Sequence, residues 1–183
     1  MITPIHLEHT AWLGKTIAAI AAEKAGIIKP GVPVVTGVVQ PEAVAVIERE
    51  AAVRKSPLVR MPKDFGATRT DPGPPQRFNY RGIGGTYEDL GVSLLGRHQV
   101  GNACLAVAAV ECAARSGVTV PEAAIRLGLE AAAWEGRLER MAVRPDLYLD
   151  GAHNPASAAV LAEALQELRG GYGRLVLVLG ILQ

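Results

Sequence analysis

The chain has 183 residues, enough for one domain or two small ones, and 49% of them are hydrophobic, which suffices for a core. It carries 19 basic and 18 acidic side chains, a formal net charge of +1, and only 4% of its residues are aromatic. That balance excludes a strongly basic face for nucleic acid or acidic lipid and offers few rings on which bases could stack, leaving a small molecule or a metal as the natural ligand.

The first predicted element is a short strand-like run, ITPIHL, ending in a loop at His9. A helix over 16–26 follows, broken by Gly26 and by Pro30-Gly31. Between them stands Gly14-Lys15-Thr16, the tail of a phosphate-binding loop, but the glycine that such a loop needs five residues before Gly14 is replaced by His9. An imidazole there is too large, and too reluctant to take a positive φ, for the backbone to close on a phosphate. VPVVTGVV (32–39) is a continuous β-branched run, the pattern of a strand buried on both faces of a parallel sheet. Pro41-Glu42 opens a helix to about 54, and LVRMP is another short strand. This alternation predicts an α/β fold with a parallel sheet.

Residues 63–91 are rich in Gly and Pro with short strand-like pieces, and read as irregular connection and hairpin on the surface. GVSLLGRHQVGNACLAVAAVECAARSG then gives a strand, a loop and a helix ending at Gly117, and another helix starts at Pro121. Cys104 and Cys112 lie eight apart in the first of these helices, about 12 Å at 1.5 Å per residue, beyond disulfide reach. Free thiols fit a reducing cytosol. No apolar run approaches the ~20 residues of a membrane span, and the N-terminus lacks the pattern of a signal peptide, so a cytoplasmic protein with no membrane or nucleic-acid partner is expected. A boundary falls near 140–145. After it come strand DLYLD, turn GAHNP, a helix to about 169 and strand RLVLVLG, the first β-α-β segment of a second, Rossmann-like unit. Residues 1–140 and 141–183 are thus expected to be the end of one domain and the start of another, within a longer protein.

Three constellations carry chemistry. Lys24 falls on the stripe that continues Ile17, Ile20 and Ala21 at helical spacing. It reads either as a lysine snorkelling to water or as a desolvated amine able to react with CO2, whose carbamate oxygens would suit Mg²⁺. Asp150-Gly151-Ala152-His153-Asn154-Pro155 ends a strand and begins a helix. Asn154 and Pro155 are explained by capping, whereas Asp150 and His153 are ionisable groups on a tight turn at the ligand-binding edge of such sheets. Gly96-Arg97-His98-Gln99, with Asn102, is a polar cluster before an apolar helix, and Arg137 is either a surface charge or a phosphate ligand.

Taken in order, IxLEHTxWLGKTxxxIAxEKAGIIKPG, LLGRHQxxNAxLA, WxGRLE and DGAHNP resemble folylpolyglutamate synthase and dihydrofolate synthase, the folate branch of the Mur ligase superfamily, over nearly the whole chain. The resemblance implies the end of a Mur-ligase-type central ATP-binding domain and the start of a glutamate-binding one. It further implies a monomeric parent enzyme that makes an amide bond: ATP phosphorylates a carboxylate of folate or dihydropteroate, and the amine of L-glutamate attacks the acyl phosphate. Carried over by motif, His9 and a carbamylated Lys24 would hold Mg²⁺. Asn102 would contact adenine, Arg137 the phosphates and Asp150 the ribose, with His153 near the bound glutamate. Lys24, His9 and Arg137 are the implied catalytic residues. Glu8 departs from the family's Asp before the metal-binding histidine. The family's phosphate loop finds no counterpart here, so the chain by itself is expected to lack ligase activity. A non-catalytic scaffold, and a Mur-type peptidoglycan ligase, are the competing readings.

Overall fold

The computed structural model describes residues 1–7 and 14–180. Helix α1 (Ile17–Ala25) begins where the Thr16 hydroxyl accepts the Ala19 amide at 3.1 Å, and it buries Ile20, Ala21 and Ala25. Strand β1 (Val34–Thr36) is buried at all three positions, as a β-branched run between two layers should be. It pairs in parallel with β2 (Leu58–Arg60), Val35 opposite Val59. Ile2 adds a single parallel bridge on the other side of β1, the Ile2 amide donating to the Val35 carbonyl at 2.8 Å. Between the strands, α2 (Pro41–Val53) starts on its proline and turns Ala43, Ile47 and Ala51 inward at four-residue spacing. Ile2, Ile5, Ile20, Ile28, Val34 and Ile47 belong to the cluster that joins these elements.

The largest departure from the sequence reading concerns 63–91, which is regular. Strands β3 (Gly66–Asp71), β4 (Gln76–Arg81) and β5 (Thr86–Val92) form an antiparallel sheet in the order β3-β4-β5. On β4 every second residue, Gln76, Phe78 and Tyr80, is buried. Helix α3 (Arg97–Ala114) packs on this sheet through Ala103, Cys104, Leu105, Val107 and Ala108, and α4 (Glu122–Glu130) closes the cluster with Ile125. Gly and Pro set the turns of this sheet, while a minority of apolar residues on alternate positions set its buried face.

One carboxylate lies inside. Glu111 of α3 accepts the Tyr80 hydroxyl at 2.7 Å and the Ile83 amide at 3.0 Å. Burial, reinforced by that carboxylate, pushes the Tyr80 hydroxyl well above its usual range, and the same causes push the Cys104 thiol up to about 12. Cys104 and Cys112 are both buried and free, as their spacing predicts.

Strand β6 (Glu139–Ala142) pairs antiparallel with β7 (Leu147–Leu149), and the stretch 140–145, where the boundary is expected, includes the turn of this hairpin. Helix α5 (Pro155–Arg169) carries a reciprocal cap: Asn154 accepts the Ser157 amide at 2.8 Å, and the Ser157 hydroxyl accepts the Asn154 amide at 3.1 Å. The run 174–180, expected to be a strand, is not one. Leu175, Val176, Leu177, Val178 and Leu179 stand exposed, and no strand of the described residues lies beside them to complete a ladder. Among the described residues no helix is long and apolar enough to cross a membrane.

Candidate functional site

Three segments distant in sequence meet at the N-terminal end of α3. Asp150, at the end of β7, is the knot between two of them: one carboxylate oxygen accepts the Leu138 amide at 2.8 Å and the other the Ala152 amide at 2.8 Å. The Gly151 amide donates to the Gly136 carbonyl at 2.8 Å, and Glu139 turns back to accept the Gly136 amide at 2.8 Å. Residues 136–138 are therefore stapled to 150–152, with Leu138 buried as the anchor and its neighbour Arg137 exposed. Each oxygen of Asp150 keeps a lone pair for an external donor such as a sugar hydroxyl.

From α3, His98 reaches the same place: its imidazole feels the charges of Asp150, Arg137 and Glu163. Asn102, one turn further along α3, is exposed and donates to the Gln99 side chain at 2.9 Å. Buried Gln76 fixes the approach to this helix by donating to the carbonyls of Leu94 at 2.6 Å and Gly96 at 3.0 Å. The His153 ring is exposed, Nδ1 lying 2.8 Å from the Gly151 carbonyl, and its own amide donates to Ser157. Arg137, Asp150 and His153 thus lie on two stapled segments, and Asn102 lies on α3, one turn beyond His98.

Of the two residues expected to hold Mg²⁺, only Lys24 is among the described residues. Lys24 is half-buried on α1, whose inward face belongs to the other core cluster, and His9 lies outside the described residues. Among the described residues no three His, Cys, Asp or Glu side chains gather as a metal site.

Beside these segments opens a cleft of about 730 Å³ between the β3–β4 hairpin, Gly96-Arg97 and α5. Arg69 of β3 crosses it to Glu167 of α5 as a fork, at 2.7 and 2.8 Å. Neither residue carries a sequence motif, and nothing in the local pattern could have paired them. The guanidinium holds the Glu167 carboxyl below its ordinary value of 4.5, against the opposing effect of burial. A depressed folded-state value stabilises the fold above the unfolded value and is lost as pH falls through the folded one. Glu167→Gln is therefore expected to cost about 1 kcal/mol at neutral pH. Thermal unfolding of both proteins from neutral pH down to pH ~3 should show that gap closing below the ordinary glutamate range. A gap that persists unchanged in acid would remove the ion pair as its source.

Comparison with known proteins gives these segments their context. No protein-family profile matches the chain. It is 40% identical over 169 residues to the dihydrofolate synthase/folylpolyglutamate synthase of Bacillus subtilis, covering 91% of this chain and 39% of that protein. It is 39% identical over 170 residues to the folylpolyglutamate synthase of Lacticaseibacillus casei, covering 92% and 40%. The structure of a variant of the L. casei enzyme superposes with a TM-score of 0.88 at 38% identity, covering 100% of this chain and 45% of the other. A folylpolyglutamate synthase complex with AMPPCP and folate gives 0.86 at 38% identity, covering 94% and 42%. The chain thus has the fold of the corresponding part of a Mur-type ligase. Within that class, over the residues it covers, it is homologous to the folylpolyglutamate and dihydrofolate synthases. It spans about two fifths of the length of these curated relatives.

Proposed function

We propose that this chain supplies the nucleoside and phosphate contacts of a cytoplasmic, monomeric, ATP-dependent ligase that joins L-glutamate to folate, with dihydropteroate as the alternative acceptor. The observation that carries the reading is the superposition on a folylpolyglutamate synthase bound to AMPPCP and folate. The Asp150 turn supports it, because a carboxylate with spare lone pairs is tied to the segment that carries the exposed Arg137. In this reading the γ-phosphoryl group of ATP passes to the acceptor carboxylate. The glutamate amine then attacks the acyl carbon and phosphate leaves with the C–O bond's electron pair.

Asp150 would hold the ribose, Asn102 the adenine, and Arg137 the phosphates, whose growing charge a guanidinium stabilises. His153 would lie toward the glutamate. Residues 1–140 would belong to the ATP-binding part and 141–183 to the glutamate-binding part. His9 and a carbamylated Lys24 would hold Mg²⁺, which neutralises phosphate charge when bound. The test is mass spectrometry of tetrahydrofolate and dihydropteroate incubated with L-glutamate, ATP, Mg²⁺ and the protein encoded by the complete reading frame. Glutamyl products formed with stoichiometric ADP release are expected. ATP-dependent addition of an amino acid to a UDP-muramoyl acceptor, with no folate product, would overturn the reading.

A further inference from the structure

A second cavity lies toward the other end of α3, beside Glu111, about 20 Å from the start of the helix at 1.5 Å per residue. Glu111 is 7% exposed, and only one of its oxygens is satisfied. Oε2 accepts the Tyr80 hydroxyl and the Ile83 amide, whereas Oε1 is shut off from solvent and meets no donor among the described residues. A buried charged oxygen without a donor carries its full desolvation penalty. The 82–85 turn is shaped around this carboxylate: a Cβ on Gly82 would collide with Oε2 and the Tyr80 hydroxyl, and one on Gly84 would sit 3.0 Å from Oε1. Oε1 therefore faces Gly84, which also lines the cavity. The cavity measures about 350 Å³, at the small end of the range of about 300–1,000 Å³ for ligand sites. Val110, Val120, Ile125 and Tyr87 give it apolar walls. Arg115 lines it too, four residues beyond Glu111 on the same face of α3. Its exposed guanidinium reaches the Ile83 carbonyl at 3.4 Å rather than the unfilled oxygen.

We propose that this cavity binds a free aliphatic α-amino acid, its ammonium donating to Glu111 Oε1, its carboxylate pairing with Arg115 and its side chain lying against Val110, Val120 and Ile125. The site is separate from the nucleotide reading above and does not depend on it.

The charge pattern selects this class. An anion and a cation one helical turn apart match a small zwitterion. A simple amine would leave Arg115 unused, and a simple acid would leave Oε1 unfilled. A second carboxylate, as in glutamate, would fall among the apolar walls, where its desolvation has no compensation. The ammonium reaches Oε1 as the backbone of Gly84 and Gly85 gives way, a shift that no side chain on either residue obstructs.

Calorimetric titration and ¹⁵N–¹H spectra of the 183-residue chain with L-leucine test this, with 3-methylbutylamine, 4-methylpentanoate and L-glutamate for comparison. L-leucine is expected to bind saturably and to move the Ile83, Gly84 and Gly85 amide signals, a readout that needs no variant to fold. Each of the other compounds should bind about tenfold more weakly, or less. Glu111→Gln keeps an oxygen for Tyr80 and Ile83 and puts an NH2 in place of Oε1, so it should fold as the parent does and lose leucine affinity about tenfold. Arg115→Ala, at an exposed side chain, should lower leucine to the affinity of 3-methylbutylamine. No saturable binding of L-leucine overturns the proposal. Equal affinity for leucine and 3-methylbutylamine also overturns it, showing a plain cation pocket. Leucine affinity unchanged in Glu111→Gln overturns it as well, showing that leucine binds elsewhere.

Discussion

Replacing Phe78 by alanine is expected to lower the unfolding free energy by about 3–5 kcal/mol, the largest single-residue loss anticipated for this chain. Phe78 is fully buried at the centre of β4, opposite Arg69 of β3 and Leu90 of β5. It belongs to the cluster that joins the sheet to α3 through Tyr80, Leu90 and Leu105, so the cavity left behind has walls on both layers. Neither layer can collapse into it without breaking the hydrogen-bonded ladder or shifting the helix. Total stabilities of small domains are about 5–15 kcal/mol, so the variant should sit close to its unfolding threshold. Urea unfolding checks this: the midpoint should fall with the slope unchanged. Val53→Ala, at a side chain 70% exposed, should stay within about 0.5 kcal/mol of the parent. If Phe78→Ala and Val53→Ala unfold alike, the sheet is not the core of this protein.

The second large effect is functional. Asp150→Ala removes the acceptor of two backbone amides and, in the proposed reading, of a ribose hydroxyl. A hydrogen bond to a charged group contributes about 1.5–3 kcal/mol, so affinity for ADP should fall by roughly 10- to 150-fold, measurable by calorimetry. Asp150→Asn is expected to be nearly as damaging. Both carboxylate oxygens accept an N–H, from Leu138 and from Ala152, and an amide offers only one carbonyl oxygen. Its NH2 would face an amide donor, forcing the 136–138 segment away from the turn and carrying Arg137 with it. Retention of ADP affinity in either variant would remove Asp150 from the nucleotide site.

The helices were legible because their ends are written in single residues: Thr16 before α1, Pro41 at the start of α2, and Asn154-Pro155 before α5. The β3–β5 sheet was misread because composition outweighed periodicity. In QRFNYR the buried set is Gln76, Phe78 and Tyr80, an alternation present in the sequence but hidden by a polar residue at one inward position and by flanking glycine and proline. RLVLVLG shows the reverse error: a good strand pattern forms no ladder without a neighbour. Asp150 and Arg137 are visible in the sequence as motif residues, but what ties their segments together is not. The staple pairs the Asp150 and Glu139 carboxylates with the backbone amides of Leu138, Ala152 and Gly136, partners that no residue-type pattern announces. Glu111 shows the same limit, since only Tyr80 and Ile83, brought in by the β4–β5 turn, make a carboxylate tolerable inside.

The fork between Arg69 and Glu167 joins positions 98 residues apart. Closing so long a loop in an unfolded chain is entropically costly, and one ion pair cannot repay it. Docking of α5 on an Arg69 already presented by the β3–β4 pair, whose contacts are local, avoids that cost. Connectivity leads us to expect the meander to form first and α5 to dock last, an order that φ-values for Phe78→Ala and Glu167→Gln would test. The cleft between the β3–β4 hairpin and α5 would then be the last surface of the described residues to close.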